Sequence, residues 1–487
     1  MSRQQQGRLA AESFYHLAHL SLAGRACQGL ACFAARHDAP HRWESAHGNT
    51  PPLYCIGQCY RAPAAVGDDA RTHVQVASLA SVLLENVILG GVRTLEAYIG
   101  YGGGRALQSA LDMDAAAIID VVTESGLRGR GGAGFPTGFK WQAVARQTVS
   151  AKYVVVNGDE GDPGSFSDRL LLEDDPFRLI EACVIAGIAV GAQRGYIYLR
   201  KEYSDAHAIL RQAVDDAYRH AWLGDQVLGT GHRFHLELII GQGSYVCGEE
   251  TSLLNSIEGR RPEVRIRPPQ ITQRGLFGAP TLVNNVETLC AVPWIINHGA
   301  RAYAALGMPR SRGTKLLSLN SLFRRPGLYE VEFGITLRQI VEELGGGLRR
   351  GKLLGVMIGG PLAGLIPPRL LDTPFGYEEL QAIGGAVGHG GVIAFSDDTS
   401  IADLVSEVFR FGALESCGRC TPCRVGSAEL AHGFNAATSK VPDIHRWHEL
   451  IDSLAQTSLC GHGRGLAEFA HSIERHYPEE LAACFAS

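Results

Sequence analysis

The sequence predicts an α/β multidomain protein, and three observations carry that prediction. The chain has 487 residues, more than a single hydrophobic core usually serves. Strand-like runs at Tyr153–Asn157 (YVVVN), Tyr196–Arg200 (YIYLR) and His235–Gly241 (HLELIIG) alternate with helical stretches, the pattern of a sheet with crossover helices. From about Ser400 onward the pattern is helical only, in IADLVSEVFRFGALES, HRWHELIDSLAQ and LAEFAHSIERHY, which reads as a small bundle.

Four regions follow in order. Residues 1–100 hold a first cysteine group and a Pro/Asp/Gly-rich stretch after Cys59. Residues 101–305 carry the alternating strands and glycine-rich loops. Residues 306–397 form an α+β module, in which LYEVEF after a Pro-Gly turn reads as a hairpin arm and a helix starts at Leu337. Residues 398–487 form the helical region around a second cysteine group.

Composition excludes several function classes. A net charge of −5 gives no bulk attraction to nucleic acid or anionic lipid, so no nucleic-acid partner is expected. The most apolar stretch, Ala182–Ala192, is too short to span a membrane and reads as a buried helix, so no direct membrane insertion is expected. The opening MSRQQQGRLAAE lacks the apolar centre of a signal peptide, and a cytoplasmic location is expected. In a reducing compartment, clustered cysteines argue for metal or catalysis rather than disulfides. Cys183, Cys247, Cys290 and Cys484 stand alone and read as small buried hydrophobes.

The second cysteine group is the sharpest signal. SCGRCTPCRVG places Cys417, Cys420 and Cys423 at C-x2-C-x2-C spacing, and Cys460 follows in SLCGHG. Three thiolates so spaced wrap one cubane, and a distant fourth closes the site. Zinc also takes four thiolates, but usually from two separated C-x2-C knuckles. A 4Fe–4S cluster is the expected occupant. Arg419 and Arg424 either offset its charge or line a solvated face.

Three loops read as ligand-binding. SGLRGRGGAGFPTGFKW holds Gly129, Gly131 and Gly134 among Arg128, Arg130 and Lys140. Such a loop presents N–H groups and positive charge to a phosphate, although a helical stretch precedes it where a standard dinucleotide turn has a strand. NGDEGDPGSFSDR follows a buried-looking strand, at the place where ligands sit in open α/β sheets. Its carboxylates suit ribose hydroxyls or a flavin edge, and the competing readings are a metal site or a solvated acidic loop. In GQGSYVCGEETSLLNSIEG, Glu249 and Glu250 stand at a helix start, where the dipole alone favours carboxylates. Asn284, Asn285 and Thr288 are polar groups in the apolar context of PTLVNNVETL and need partners if buried.

Together, RGRGGAGFPTGFKW, NGDEGDPGSFSDR, YVCGEETSLLNSIEGRRPEVR, GLFGAPTLVNNVET and SCGRCTPCR with SLC resemble the NADH-binding flavoprotein subunit of respiratory complex I. They resemble more strongly its relatives in NAD-dependent molybdenum or tungsten formate dehydrogenases and NAD-reducing hydrogenases. The resemblance runs from about residue 90 to the C-terminus. It implies FMN, a 4Fe–4S cluster and NAD(H). It also implies a Rossmann-like FMN and NAD(H) domain, a ubiquitin-like SLBB domain and the helical 4Fe–4S domain. Carried over by position, Gly129, Arg130, Gly131, Lys140, Asn157, Asp159, Glu160, Asn284, Asn285 and Thr288 are expected FMN contacts. Phe135, Asp162, Tyr245, Glu249, Glu250 and Arg267 fall on the nicotinamide-nucleotide side. Gln270 stands where many relatives carry an aromatic residue, Arg267 where complex I commonly has Lys, and GDEGDPG favours the formate dehydrogenase and hydrogenase branch.

Cys27 and Cys32 (C-x4-C) with Cys55 and Cys59 (C-x3-C) resemble the thioredoxin-like 2Fe–2S domain of the partner subunit, fused here in shortened form. A 2Fe–2S cluster is the expected occupant, against a vestigial docking domain or a zinc site. The implied chemistry is conversion between two-electron and one-electron transfer. Glu160 and Glu250 are the expected residues tuning flavin and nicotinamide, and Lys140 the one balancing anionic charge. The implied partners are a 2Fe–2S thioredoxin-like subunit and a large catalytic subunit with further iron–sulfur clusters. An NAD-dependent formate dehydrogenase is the first expectation. The alternatives are an NAD-reducing hydrogenase, complex I, or a non-catalytic electron-relay or docking subunit.

Overall fold

A computed structural model describes residues 15, 17–18, 20–45, 52–68, 74–434 and 443–485. In chain order its strands are β1 (Gln75–Ser78), β2 (Tyr153–Gly158), β3 (Arg194–Leu199), β4 (His235–Ile240), β5 (Thr281–Asn285), β6 (Gly307–Met308), β7 (Ser311–Arg312), β8 (Thr314–Leu319), β9 (Gly327–Glu332), β10 (Leu353–Ile358), β11 (Leu365–Ile366) and β12 (Gly391–Ser396).

Strands β2 to β5 form one parallel sheet in the order β4-β3-β2-β5. Val154, Val155 and Val156 of its central strand are fully buried, which is why these strands read as continuous apolar runs. The helix Pro176–Val190 covers it and contains residues 182–190 of the apolar stretch expected to be a buried helix. Proline opens this helix and Gly191, at φ 73°, ends it. The chain steps from β2 through β3 to β4 in one direction, and β5 returns to the other side of β2. The order therefore reverses between β2 and β5, and a crevice at the C-terminal ends of those strands is where such sheets bind ligands.

The second sheet has the order β1-β9-β8-β12-β10-β11. The expected hairpin is present as antiparallel β8 and β9. The segment after Leu337 winds as a π-helix over Gln339–Leu344. Strand β1, from the region assigned to the N-terminal domain, pairs parallel with β9 and extends this sheet.

Of residues 1–100, the region expected to be thioredoxin-like, the structure describes 15, 17–18, 20–45, 52–68 and 74–100. Among their described residues β1 is the only strand, and residues 20–68 are loops, short helices and one isolated bridge between Ala26 and Ala65. The described residues there have no sheet of their own, as a thioredoxin-like domain would.

The C-terminal region is helical, with Ile401–Leu414, Ser427–Gly433, Ile444–Thr457 and Gly461–His476 as its main helices. Ser400 and Asp443 cap two of them through backbone N–H groups. Phe409, Trp447 and Phe469 pack their rings at the centre. Among the described residues no helix is long and apolar enough to cross a membrane.

Candidate functional site

The crevice between β2 and β5 is walled by the loops expected to bind ligand. On one side, the Arg130 N–H donates to Thr288 Oγ1 at 2.8 Å, tying the glycine loop to the turn after β5. The approach is close: a Cβ on Gly131 would lie 3.0 Å from that of Asn285. Gly132, at φ 123°, pairs across with Gly388 of the second sheet. Asn285 Oδ1 accepts from the Thr288 N–H at 3.1 Å and caps the helix Val286–His298. Asn284 Oδ1 accepts from the Trp141 indole at 2.9 Å.

The Arg130 guanidinium departs from the phosphate-facing role expected of it. It is buried and donates to the Tyr303 and Tyr377 hydroxyls and to the Arg312 carbonyl. Sequence places an arginine in the loop but not its direction, and here four protein acceptors, the Arg128 carbonyl at 3.0 Å among them, satisfy it. Lys140 is the loop's cation toward Glu250. Its Nζ lies 3.2 Å from Glu250 Oε2 and 3.2 Å from the Val283 carbonyl.

The acidic loop leaves β2 at Asn157, whose amide donates to the Gly248 carbonyl at 2.8 Å and accepts from the Asp159 N–H at 3.1 Å. Asp159 is buried, and its Oδ2 has no hydrogen-bond partner among the described residues. Burial pushes its carboxyl well above the usual range, against the pull of Arg200. Such an oxygen in a crevice fits a ligand that donates hydrogen bonds.

Glu160 faces another way. Its carboxylate is wholly buried and accepts from Ser167 Oγ (3.0 Å), the N–H groups of Asp168 (3.1 Å) and Arg169 (3.0 Å), and the Tyr203 hydroxyl (3.0 Å). It therefore holds the start of the helix Ser167–Asp174, a positioning role that loop spacing does not reveal. Asp162 accepts from the Tyr245 hydroxyl at 2.5 Å and lies 3.1 Å from His389 Nδ1.

The loop Tyr245–Glu250 packs against the acidic loop, since a Cβ on Gly161 would come within 2.7 Å of the Tyr245 ring. Glu249 caps the helix Glu250–Ile257 through the N–H groups of Thr251 and Ser252, and its other oxygen pairs with Arg267 at 2.6 Å. Arg267 also lies 3.0 Å from Glu250. Phe135 is exposed, and Gln270 forms a capping box with Gln273.

The same loop reaches the second cysteine group. Val246 packs with Val264, Cys417 and Cys460. Glu415, two residues before Cys417, accepts from the Tyr245 N–H at 2.9 Å. Burial raises the Cys423 thiol to about 12 and the Cys460 thiol to about 11, and neighbouring thiols of the group act on both in the same direction. The four sulfurs thus share one neighbourhood. Arg419 is engaged by Glu263 at 3.0 Å.

The N-terminal cysteines also converge. Cys27, Cys32, Cys55 and Cys59 are all buried, with Cys55 and Cys59 sulfurs 3.4 Å apart. The Cys32 thiol bonds to Cys27 and holds it down at about 7. The group abuts the acidic loop: Cys55 Sγ is 4.0 Å from the Ser165 carbonyl, and Arg169 donates to the Gly57 carbonyl at 2.7 Å. Among the described residues no three His, Cys, Asp or Glu close around a single ion. An iron–sulfur cluster spaces its thiolates more widely, around several irons and sulfides.

Two participants carry little signal in the sequence. His389 joins the site from the second sheet, its one signal being a lone histidine between glycines in GAVGHGG. Glu415 joins it from the helical region, hidden as one acid capping the end of the helix Ile401–Leu414.

Comparison with known proteins agrees with this layout. The family described as the Nuo51 FMN-binding domain matches residues 122–294, and the NADH-ubiquinone oxidoreductase-F iron-sulfur binding region matches residues 403–484. An NADH-quinone oxidoreductase subunit of Rhizobium meliloti (strain 1021) is 39% identical over 407 residues, 82% of this chain and 97% of that protein. The NADP-reducing hydrogenase subunit HndC of Solidesulfovibrio fructosivorans is 39% identical over 399 residues, 80% of this chain and 81% of that one. A chain of the solved NAD+-reducing [NiFe]-hydrogenase in the H2-reduced state superposes with a TM-score of 0.81 at 28% identity, covering 99% of this chain and 87% of that one.

Proposed function

Because this chain belongs to the family of NADH-binding flavoprotein subunits that carry FMN and a 4Fe–4S cluster, we propose that it is the diaphorase subunit of a soluble NAD-dependent formate dehydrogenase. It exchanges a hydride between NAD(H) and FMN, and single electrons between FMN and its iron–sulfur clusters. The observation that carries this reading is the position of the loop Tyr245–Glu250, which touches the acidic loop on one side and Cys417 on the other.

FMN supplies the hydride and one-electron chemistry when bound. The protein's part is to place and insulate it. The Gly129–Gly134 loop and the turn Asn284–Thr288 hold the phosphate end, and Asp159 offers a free acceptor to the ring or ribityl chain. Glu250, steadied by Lys140 and Arg267, faces the nicotinamide nucleotide. Glu160 keeps the acidic loop seated on its helix. Cys417, Cys420, Cys423 and Cys460 ligate the 4Fe–4S cluster, and Cys27, Cys32, Cys55 and Cys59 a 2Fe–2S cluster beside the acidic loop. Partners are a large catalytic subunit with further clusters and a 2Fe–2S thioredoxin-like subunit, in the cytoplasm.

The GDEGDPG loop and the N-terminal cysteines support the formate dehydrogenase and hydrogenase branch over complex I as the parent complex. A second reading, the diaphorase of an NAD-reducing hydrogenase, is favoured by the 99% coverage of this chain in the hydrogenase superposition. The complex, purified without oxygen, tests both. NADH should bleach flavin and iron–sulfur absorbance together, and formate, not H2, should then drive NAD+ reduction. Reduction by H2 instead selects the second reading. Full cofactor content without NADH bleaching defeats both and leaves an electron-relay or docking subunit.

A further inference from the structure

The turn before β12 belongs to the six-stranded sheet, yet it enters the crevice of the parallel one. Its fit is tight. A Cβ on Gly388, at φ 52°, would lie 2.2 Å from Gly359 Cα, and Gly388 pairs with Gly132 of the glycine loop. Next to it, His389 is 9% exposed. Its Nδ1 lies 3.1 Å from Asp162 Oδ2, and its Nε2 lies 3.4 Å from Asp168 Oδ2 and 3.3 Å from the Asn285 amide nitrogen. Each carboxylate in turn holds a site element. Asp162 takes the Tyr245 hydroxyl at 2.5 Å, and Asp168 takes the Asn285 amide at 2.5 Å and the Glu287 N–H at 3.2 Å.

Resting on the reading of this crevice as the flavin and nicotinamide site, we propose that His389 is a positioning residue for that reaction. Its two ring nitrogens clamp Asp162 to the Tyr245 side and Asp168 to the Asn285 side, fixing the spacing between the walls that hold flavin and nicotinamide.

When both nitrogens donate, to Asp162 and Asp168, the ring carries a positive charge. Burial opposes that charge, but the Asp162 and Asp168 carboxylates outweigh it and hold the imidazolium well above the usual histidine range. The same charge eases Glu160 and Asp159 toward ionisation. From the other elements packed there, Lys315 donates to the His389 carbonyl at 3.1 Å and is paired with Glu287. Lys315 is thus neutralised, which leaves His389 as the cation between the two aspartates.

The test is a double-mutant cycle on the complex, with FMN as the probe. His389→Gln should loosen FMN by about tenfold, shift the flavin midpoint potential negative through loss of a buried cation, and leave the 4Fe–4S spectrum unchanged. Asp162→Asn should loosen FMN similarly, and the double variant should lose less than the sum of the two single losses, because the His389–Asp162 contact is common to both. Unchanged FMN affinity and potential in His389→Gln, or additive losses in the double variant, overturn the proposal. Should His389→Gln lose its 4Fe–4S spectrum, Asp162→Asn alone decides, since unchanged FMN affinity there also overturns it. A wild-type complex that takes up no FMN sinks the functional reading itself. A wild type that takes it up beside variants that match it sinks only the clamp.

Discussion

Lys140 and Arg267 hold the two oxygens of the Glu250 carboxylate, with Lys140 Nζ 3.2 Å from Oε2 and Arg267 NH2 3.0 Å from Oε1. The carboxylate is thereby aimed from a helix N-terminus that already favours its charge. Glu250→Gln keeps the shape but breaks both pairs. The KM for NADH should rise about tenfold, while the FMN bound per chain stays at the wild-type value. Loss of FMN with an unchanged KM would contradict the placement of Glu250 on the nucleotide side.

Glu160 carries a different expectation, because its four donors come from the protein itself. Glu160→Ala leaves buried N–H and O–H groups unmatched. It should cost about 2–4 kcal/mol, read as a lower thermal midpoint even without FMN. Were Glu160 chiefly a flavin-tuning group, the FMN-free chain would melt unchanged.

Glu415 gives a pH signature. Burial raises its carboxyl from 4.5 to about 7, although the Tyr245 N–H pulls the other way. A raised folded-state value means that the group's contribution to stability is complete below pH 4.5 and is lost as pH rises toward 7. On this account Glu415→Gln removes a pH-dependent loss on the order of 2–3 kcal/mol. The gap between melting temperatures at pH 5 and pH 8 should narrow in the variant. An unchanged gap would place the source elsewhere.

Two glycines separate packing from ligand approach. A Cβ on Gly161 meets the Tyr245 ring at 2.7 Å, whereas one on Gly129 meets nothing closer than the Phe135 carbonyl at 3.6 Å. Gly161→Ala should destabilise the chain by about 1–3 kcal/mol. Gly129→Ala should melt like wild type and yet bind FMN less tightly, if that face meets the phosphate. Calorimetry of the FMN-free proteins beside flavin titration makes the comparison, and a Gly129→Ala protein with full FMN affinity would remove Gly129 from the site.

These contrasts mark what is legible in sequence. The strands β2 and β3 read directly, since burial on both faces leaves a continuous apolar run, while the edge strand β4 is only partly buried and carries the exposed Glu237 within its run. Strand β5 does not, because it ends in Asn284 and Asn285, whose partners Trp141 and Asp168 are remote in sequence. Residue identity in the loops is readable, but side-chain direction is not. Arg130 and Glu160 stand out in their loops, yet both side chains face inward onto protein partners. The second sheet's share in the crevice is invisible, because His389 acts only through carboxylates more than 200 positions away. Spacing also names the N-terminal cysteines without their scaffold, which consists of loops and short helices pressed on the acidic loop.

That pressed arrangement makes the last prediction. The four N-terminal cysteines are buried within one segment, which meets the acidic loop through Cys55, while Cys417 and Cys460 of the other group lie beside the loop Tyr245–Glu250. If both groups hold clusters, the chain carries about six irons, about four in the cubane and about two in the smaller cluster. Cys27→Ser should remove about two irons and one EPR signal, leaving the 4Fe–4S signal in place. Cys460→Ser should do the reverse. A wild-type chain with only about four irons, unchanged in Cys27→Ser, would make the N-terminal group a docking element. Its thiols would then serve only as packing beneath the acidic loop.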